Sequence, residues 1–257
     1  MISIGHYRST ATGVPILSTK ELEDIGEALV QDFCPEVFSS PQPVDIETFT
    51  EIYAGLNLEY QYLSNCRVYL GMTVFHETNK MPIYNPNTNL AEYLHVPANT
   101  VLIEQSLLDD ERMHHCYRFT MAHEAAGHAM LHKGYFKHKY NPNQLSLFPV
   151  KEPPWVQCRK DFSKYKHSTL RKDNDWLEWQ ANTLGAIVLM PKKSVQQLVK
   201  SHRHSLLWSK NVMINSVAQK FDVSPAAAQI RLESLGYIKR DIYPFIEENE
   251  QYSLVSE

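Results

Sequence analysis

Two imidazoles and a carboxylate lie within six residues of one another at positions 123–128, among small and apolar neighbours. The surrounding stretch, residues 117–132, reads Tyr-Arg-Phe-Thr-Met-Ala-His-Glu-Ala-Ala-Gly-His-Ala-Met-Leu-His. Histidine nitrogens are common Zn²⁺ ligands, and a glutamate beside the first histidine is placed to take a proton from a water at the metal. The stretch predicts a zinc-hydrolase helix with His123 and His128 as ligands and Glu124 as the base.

The spacing of the two histidines differs from the usual zinc-binding pattern. In His-Glu-x-x-His the histidines are four apart, which separates them by about 40° around an α-helix. His123 and His128 are five apart, which on a regular helix separates them by roughly 140°. A one-residue π-bulge would return both rings to one face, and the small residues 125–127, with a glycine that tolerates unusual dihedral angles, suit that distortion.

A second pairing of histidines is also open. His128 and His132 are four apart, which is the regular ligand spacing, and Glu124 lies one turn before His128. In that arrangement the carboxylate no longer stands beside the first ligand. We therefore favour His123 and His128, and we expect His132 to support them by hydrogen bonding.

A third ligand is predicted on a later helix. Apolar residues recur at helical spacing from 177 to 188, and Pro191 ends the run. Glu178 is an acid on this otherwise apolar helix, and Asn182 lies one turn further along, placed to hydrogen-bond a ligand. The alternative is that Glu178 is a solvated acid in the first turn, where the helix dipole favours it. Beside the histidine cluster, ligation is the better interpretation.

These residues resemble the ImmA/IrrE-type metallopeptidases. The resemblance rests on Arg-Phe-Thr-Met-Ala-His-Glu at 118–124, Gly-His-Ala-Met-Leu-His at 127–132, Glu-Trp-Gln-Ala-Asn at 178–182 and Leu-Met-Pro at 189–191. It extends to residues 43–46 and 69–75 and to the C-terminal helices, so it covers most of the chain. One difference is the third residue between Glu124 and His128, where the family has two. The longer His-Glu-x-x-x-His motif is similar to that of the dipeptidyl peptidase III family, where it binds zinc.

The resemblance implies an α+β fold with a gluzincin-like metallopeptidase core and one Zn²⁺ per chain. Carried over by position, His123 and His128 are ligands, Glu124 is the base and Glu178 is the third ligand. The implied activity is that of an endopeptidase, found in bacterial mobile elements or stress-response systems, that cleaves a helix-turn-helix transcriptional repressor and so relieves repression. The alternative is a catalytically inactive relative, an antirepressor that binds the repressor without hydrolysis.

The elements that must hold this site are also visible in the sequence. Ser18 and Glu21 form a capping box at the start of a first helix, and Asp45 is placed to cap a second. Runs rich in β-forming residues at 58–62, 68–75, 81–84 and 100–104 predict a small, mostly antiparallel sheet beside the site helix, with an edge that could hold a peptide by strand addition. The prolines within 133–172 predict a loop bordering the site.

The chain divides by pattern into a metallopeptidase domain at 1–191, with an N-terminal arm to about 17, a helix-turn-helix-like module at 192–240 and an acidic tail at 241–257. Residues 192–240 carry nine Lys and Arg against two acids. The second helix of the module exposes only Gln229, Arg231 and Glu233 as long polar side chains, which is a weak set for reading bases. We therefore expect a packing or repressor-docking module rather than direct DNA binding.

Composition sets broad limits on the class of protein. The chain has 257 residues, 43% hydrophobic and 21% charged, with a net charge of -4. These values are ordinary for a globular protein and give no overall attraction to nucleic acid or membrane. Four well-separated cysteines without a Cys-x-x-Cys pair, together with the lack of any long apolar run, predict a reduced, cytoplasmic protein.

Overall fold

A computed structural model describes residues 8–139, 154–159, 170, 172–202 and 209–239. It has an α+β fold in which helices pack on a small mixed sheet. The helices are α1 Thr19–Phe33, α2 Ile46–Thr48, α3 His114–Ala122, α4 Lys133–Lys139, α5 Asp173–Leu189, α6 Lys192–Ser201, α7 Lys210–Phe221 and α8 Pro225–Ser234. Two π-helical stretches, Phe49–Tyr53 and His123–Leu131, continue α2 and α3. Within these residues, no helix has both the length and the apolar character needed to cross a membrane.

The strands are β1 Asn57–Gln61, β2 Tyr69–Val74, β3 Thr78–Asn85, β4 Leu90–Val96, β5 Thr100–Glu104 and β6 Trp155–Arg159. Four of them form a sheet in the order β1-β5-β2-β6, in which β1 runs parallel to β5 and the other neighbours are antiparallel. Strands β3 and β4 form a separate antiparallel pair. The four-stranded sheet is therefore mixed, and the predicted run at 81–84 belongs to β3, outside that sheet.

Two strands were not predicted from the sequence. Strand β4 is almost entirely exposed and lacks the alternation of polar and apolar residues that marks a half-buried strand. Strand β6 is five residues long and lies inside the segment expected to be a loop. The rest of that segment at 140–153 and 160–169, like the acidic tail at 241–257, lies outside the described residues.

Helix α1 begins as its sequence predicts. The side chain of Ser18 accepts a hydrogen bond from the Glu21 backbone amide, and the Glu21 carboxylate accepts one from the Ser18 amide at 2.7 Å. Its apolar face packs on α5, where a Cβ at Gly26 would lie 2.4 Å from Ile187. The predicted cap of α2 is also present, since Asp45 accepts from the Thr48 amide at 3.0 Å. Helix α1 thereby supports the back of α5, the helix that carries Glu178.

Helices α7 and α8 are joined by a tight turn in which Asp222 adopts a left-handed conformation, with φ of 53°. Its carboxylate contacts α3, lying 2.8 Å from His114 Nε2 and 3.2 Å from Arg118 Nε. Apolar side chains of both helices, such as Phe221 and Leu232, belong to the same buried cluster as those of α1 and α5. The described part of the C-terminal segment is therefore continuous with the core that supports the site.

The expectation that Arg231 is exposed on α8 is wrong. Its side chain is 3% exposed and forms an ion pair with Glu23 of α1, with Nη2 2.8 Å from Oε2. Its Nε donates to the backbone oxygen of Met190 at 2.9 Å. The position follows from helical phase, because Ala228, one turn earlier, is also buried. The long polar side chain therefore faces the protein interior rather than a nucleic acid.

Candidate metal centre

The helix that begins at α3 changes its winding at the first histidine. Residues His123–Leu131 form a nine-residue π-helical stretch, which is longer than the single bulge expected from the sequence. At its end the His132 amide donates to the Gly127 oxygen at 3.2 Å, a bond between residues five apart. Because π-helical bonding joins residues five apart, His123 and His128 lie one above the other on the same face. The π-helical winding therefore compensates for the extra residue between Glu124 and His128.

His123, His128 and Glu178 converge in the interior of the protein. The two Nε2 atoms are 3.0 Å apart. Glu178 places Oε2 3.6 Å from His123 Nε2 and Oε1 3.5 Å from His128 Nε2. Zinc bonds of about 2.0–2.1 Å in tetrahedral geometry put neighbouring ligand atoms roughly 3.3 Å apart. The spacing and the donor types therefore fit a zinc ion, and this buried group could hold one.

Hydrogen bonds on one side set the tautomer of His128. Gln180 Nε2 donates to the Pro15 carbonyl oxygen at 2.6 Å, so the amide presents Oε1 to His132 Nε2 at 3.1 Å. His132 must donate there from Nε2, which leaves its Nδ1 as an acceptor in the neutral ring. That atom lies 3.2 Å from His128 Nδ1, which therefore carries the proton. His128 Nε2 is left with a lone pair that faces His123.

A single hydrogen bond, to Asn182, sets the tautomer of His123. Its Nδ1 donates to Asn182 Oδ1 at 2.9 Å, which leaves Nε2 with a lone pair. The unprotonated Nε2 atoms of His123 and His128 therefore face each other 3.0 Å apart, and the Glu178 carboxylate lies beside them. The two lone pairs and the carboxylate repel one another when nothing lies between them, whereas a cation bound between them would attract all three. Burial lowers the pKa of His123 to about 4 and that of His128 to about 3, which keeps both rings in the neutral form that binds metals.

Glu124 lies beside this group and is fully buried. Thr73 of β2 donates its hydroxyl to Oε2 at 2.5 Å, while Oε1 has no hydrogen-bond partner. Burial raises the pKa of Glu124 well above its ordinary value, and the charge of Glu178 adds to that shift. Hydrogen bonds from the Thr73 hydroxyl and the Cys158 backbone oppose it. A carboxylate with a raised pKa and an unused oxygen is a stronger proton acceptor than an exposed one.

Close helix packing brings Glu178 within reach of the histidines. A Cβ at Gly127 would lie 2.5 Å from Ala181 Cβ and 2.6 Å from Ala181 Cα, and a Cβ at Gly185 would lie 3.1 Å from the His123 nitrogen. Gly127 has no positive φ angle. Its role is therefore close approach to α5 rather than the unusual dihedral angle expected from the sequence.

Replacing Gly127 with Ala should destabilise the protein by about 1–3 kcal/mol, because the added methyl group must push α5 away from the π-helical stretch. Urea unfolding followed by circular dichroism measures this loss. Gly134→Ala is the matched control, since a Cβ there meets nothing within 4 Å. It should leave stability unchanged or raise it by up to about 1 kcal/mol. Equal effects of the two substitutions would contradict the packing role of Gly127.

Replacing His132 with Leu should weaken zinc binding about 10- to 100-fold, the usual effect of removing a group that orients a metal ligand. The substitution leaves the Nδ1 proton of His128 without its acceptor, so the ring loses its fixed orientation. Competition with a chromophoric chelator measures the affinity. His138→Leu, at an exposed position on α4, is the control and should bind zinc as the parent does. Unchanged affinity of the His132 variant would contradict the orienting role.

The structure brings together the six predicted site residues. His123, His128 and Glu178 converge, Glu124 is adjacent, and Asn182 and His132 bond to the rings. Within the described residues, the alternative pairing of His128 with His132 is not a ligand pair, because the two rings meet through Nδ1. Histidines 114 and 115 lie at Asp222 instead. Sequence reasoning missed Thr73 and Gln180, whose residue types are common in strands and helices and carry no signal of their own.

Comparison with known proteins adds no family assignment. A scan of the chain against protein-family models gives no match, and a search of curated proteins gives no match either. The functional interpretation therefore rests on the residues and their geometry.

Proposed function

We propose that this protein is a zinc-dependent endopeptidase with a gluzincin-like core, which hydrolyses a peptide bond in a protein substrate. The observation that carries the proposal is the pair of histidine lone pairs, 3.0 Å apart, that meet the Glu178 carboxylate beside the buried Glu124. A cluster that only stabilised the fold would gain nothing from two facing lone pairs. A catalytic zinc site uses three protein ligands and keeps a fourth position open.

In this proposal His123, His128 and Glu178 hold the zinc ion. Zinc, when bound, supplies a Lewis acid that lowers the pKa of a water molecule and polarises the scissile carbonyl. Glu124 accepts the proton of the attacking water and passes it to the leaving amine. Thr73 fixes one oxygen of Glu124 by its hydrogen bond and leaves Oε1 for proton transfer. Asn182 and His132 keep the two rings in the ligating tautomer.

The proposed substrate is a helix-turn-helix transcriptional repressor, whose cleavage relieves repression. The support is the resemblance of the motifs at 118–132 and 178–191 to ImmA/IrrE-type metallopeptidases. The C-terminal helices serve in this proposal as a docking module for the repressor. Burial of Arg231 supports docking over DNA binding, because it removes a basic side chain from the surface of α8.

One observation favours the alternative function, a repressor-binding regulator without hydrolysis. His123, Glu124 and His128 have no exposed surface, whereas a peptidase must admit both a peptide and water to these groups. Glu178 keeps a side chain that is 10% exposed, so access would have to come from its side. Both functions predict that the protein binds the repressor, but only the peptidase is expected to cleave it.

The test is a cleavage assay on a helix-turn-helix repressor from the same genome, with fragments identified by mass spectrometry. Full-length protein is purified without added metal, and its zinc content is determined by elemental analysis. Zinc near one equivalent, with fragments that disappear after chelation and return with zinc, supports the peptidase. Binding of the intact repressor by protein that holds no zinc, even after zinc is supplied, supports the antirepressor.

A further inference from the structure

His123 also belongs to a second group of potential metal ligands. One ligand atom from each of His123, Glu124 and Cys158 falls within 4.8 Å of the other two, and all three residues are buried. Cys158 comes from β6, where it is paired with Gly71 of β2. Since Gly71 has no side chain, both the Glu124 carboxylate and the β6 strand can approach the same point. A Cβ at that position would lie 2.8 Å from Glu124 Oε1.

The unused oxygen of Glu124 is an independent sign that this position suits a ligand. Oε1 is buried and has no hydrogen-bond partner, which is costly for a carboxylate. Burial raises the pKa of the Cys158 thiol well above its ordinary value, and the nearby carboxylates of Glu124 and Glu178 add to that shift. The same negative potential that disfavours a bare thiolate attracts a cation, and a bound cation stabilises the thiolate.

The two groups share His123 and differ in their other ligands. The first offers a second imidazole and a carboxylate, whereas this one offers a carboxylate and a sulfur atom. Soft thiolate ligands favour thiophilic cations. A neutral imidazole has one lone pair, here on Nε2, so His123 can bind only one cation at a time. Occupation of the two positions is therefore mutually exclusive.

We propose that His123, Glu124 and Cys158 form a second, competing metal position that selects thiophilic divalent cations, for which Cd²⁺ is the probe. On binding, the thiol releases its proton to solvent and a sulfur–metal bond forms. Glu124 becomes a ligand and ceases to be available as a proton acceptor. A thiophilic cation therefore displaces the ion from His128 and Glu178 and leaves the protein without its base.

The experiment is a Cd²⁺ titration of metal-free, full-length protein, followed by the ultraviolet charge-transfer absorbance of a thiolate–Cd²⁺ bond. All variants carry Cys66→Ser, because Cys66 is exposed and would bind the probe by itself. We expect the band in the parent and in His128→Ala, which alters the first group only. We expect its loss in Cys158→Ser, which should bind zinc as tightly as the parent, and its retention in the matched control Cys116→Ser.

Persistence of the full band in Cys158→Ser, its loss in His128→Ala, or its absence from the parent overturns the proposal. These readouts do not depend on peptidase activity. If the parent shows the Cd²⁺ band but neither binds zinc at His128 nor cleaves protein, the proposed hydrolase fails while the thiolate position stands. If zinc binds and cleavage occurs but no Cd²⁺ band forms, the thiolate position fails and the hydrolase stands.

Discussion

Glu124→Gln should lower the rate of peptide hydrolysis by about 10²- to 10⁴-fold, the range expected for loss of a general base. An amide of the same size keeps an oxygen that can accept from Thr73, but it cannot take a proton from water. The three ligands are untouched, so zinc content should remain near one equivalent. Initial rates of repressor cleavage and elemental analysis of the same sample measure the two effects together.

Two further carboxylate substitutions sharpen this prediction. Glu178→Gln removes a ligand charge and should lose both zinc and hydrolysis, whereas Glu92→Gln, at an exposed position on β4, should change neither. The contrast separates proton transfer from metal binding. A Glu124→Gln variant that cleaves at the parent rate would show that another group accepts the proton.

The sequence predicted which residues meet at the candidate site because ligand residue types at motif spacing are local information. Spacing of five between His123 and His128 required wider winding than an α-helix gives, and the π-helical stretch provides it. Its length of nine residues was not predictable, because the number of wider turns depends on packing against α5. Gly127 shows the same limit, since its use in close approach depends on Ala181, which is 54 residues away in the chain.

The orientation of the imidazole rings could not be predicted from the sequence. Gln180 bonds to His132 only because a backbone oxygen of the N-terminal segment, that of Pro15, engages its amide group. Cys158 reaches Glu124 only through a strand that pairs with β2 at Gly71. Neither contact is signalled by a periodicity or a motif in the sequence, because each joins segments that are far apart in the chain. Capping residues such as Ser18 and Asp45 were predictable since their partners lie three residues away.

Arg231 shows how a helix can be placed correctly while the role of one side chain on it is not. Helix α8 lies in the module expected to be helical, with Ser224 at the N-cap and Pro225 first in the helix. A basic residue on a helix in a basic segment is usually solvated, and nothing near it in sequence signals Glu23, which lies on α1. The ion pair ties the first helix to the last described one through the core.

Replacing Arg231 with Met should lower the free energy of unfolding by about 3–5 kcal/mol, the usual cost of leaving one partner of a buried ion pair unpaired. Glu23 would lose its ion-pair partner at a position where its side chain is only 12% exposed. The Met190 oxygen would also lose its donor. Urea unfolding measures the loss, and Lys220→Met, at an exposed position on α7, should change stability by less than about 0.5 kcal/mol.

The double variant Arg231→Met with Glu23→Met decides whether the loss comes from the unpaired carboxylate. Replacing both charges with apolar groups of similar length should recover most of the stability, because desolvation of two ions offsets much of their attraction. If the double variant is as unstable as the single one, the hydrogen bond to Met190 and the packing of the arginine stem carry the effect. If the single variant loses no more than Lys220→Met, α8 does not dock on α1 through this pair, and Arg231 would again be available to a partner at the surface.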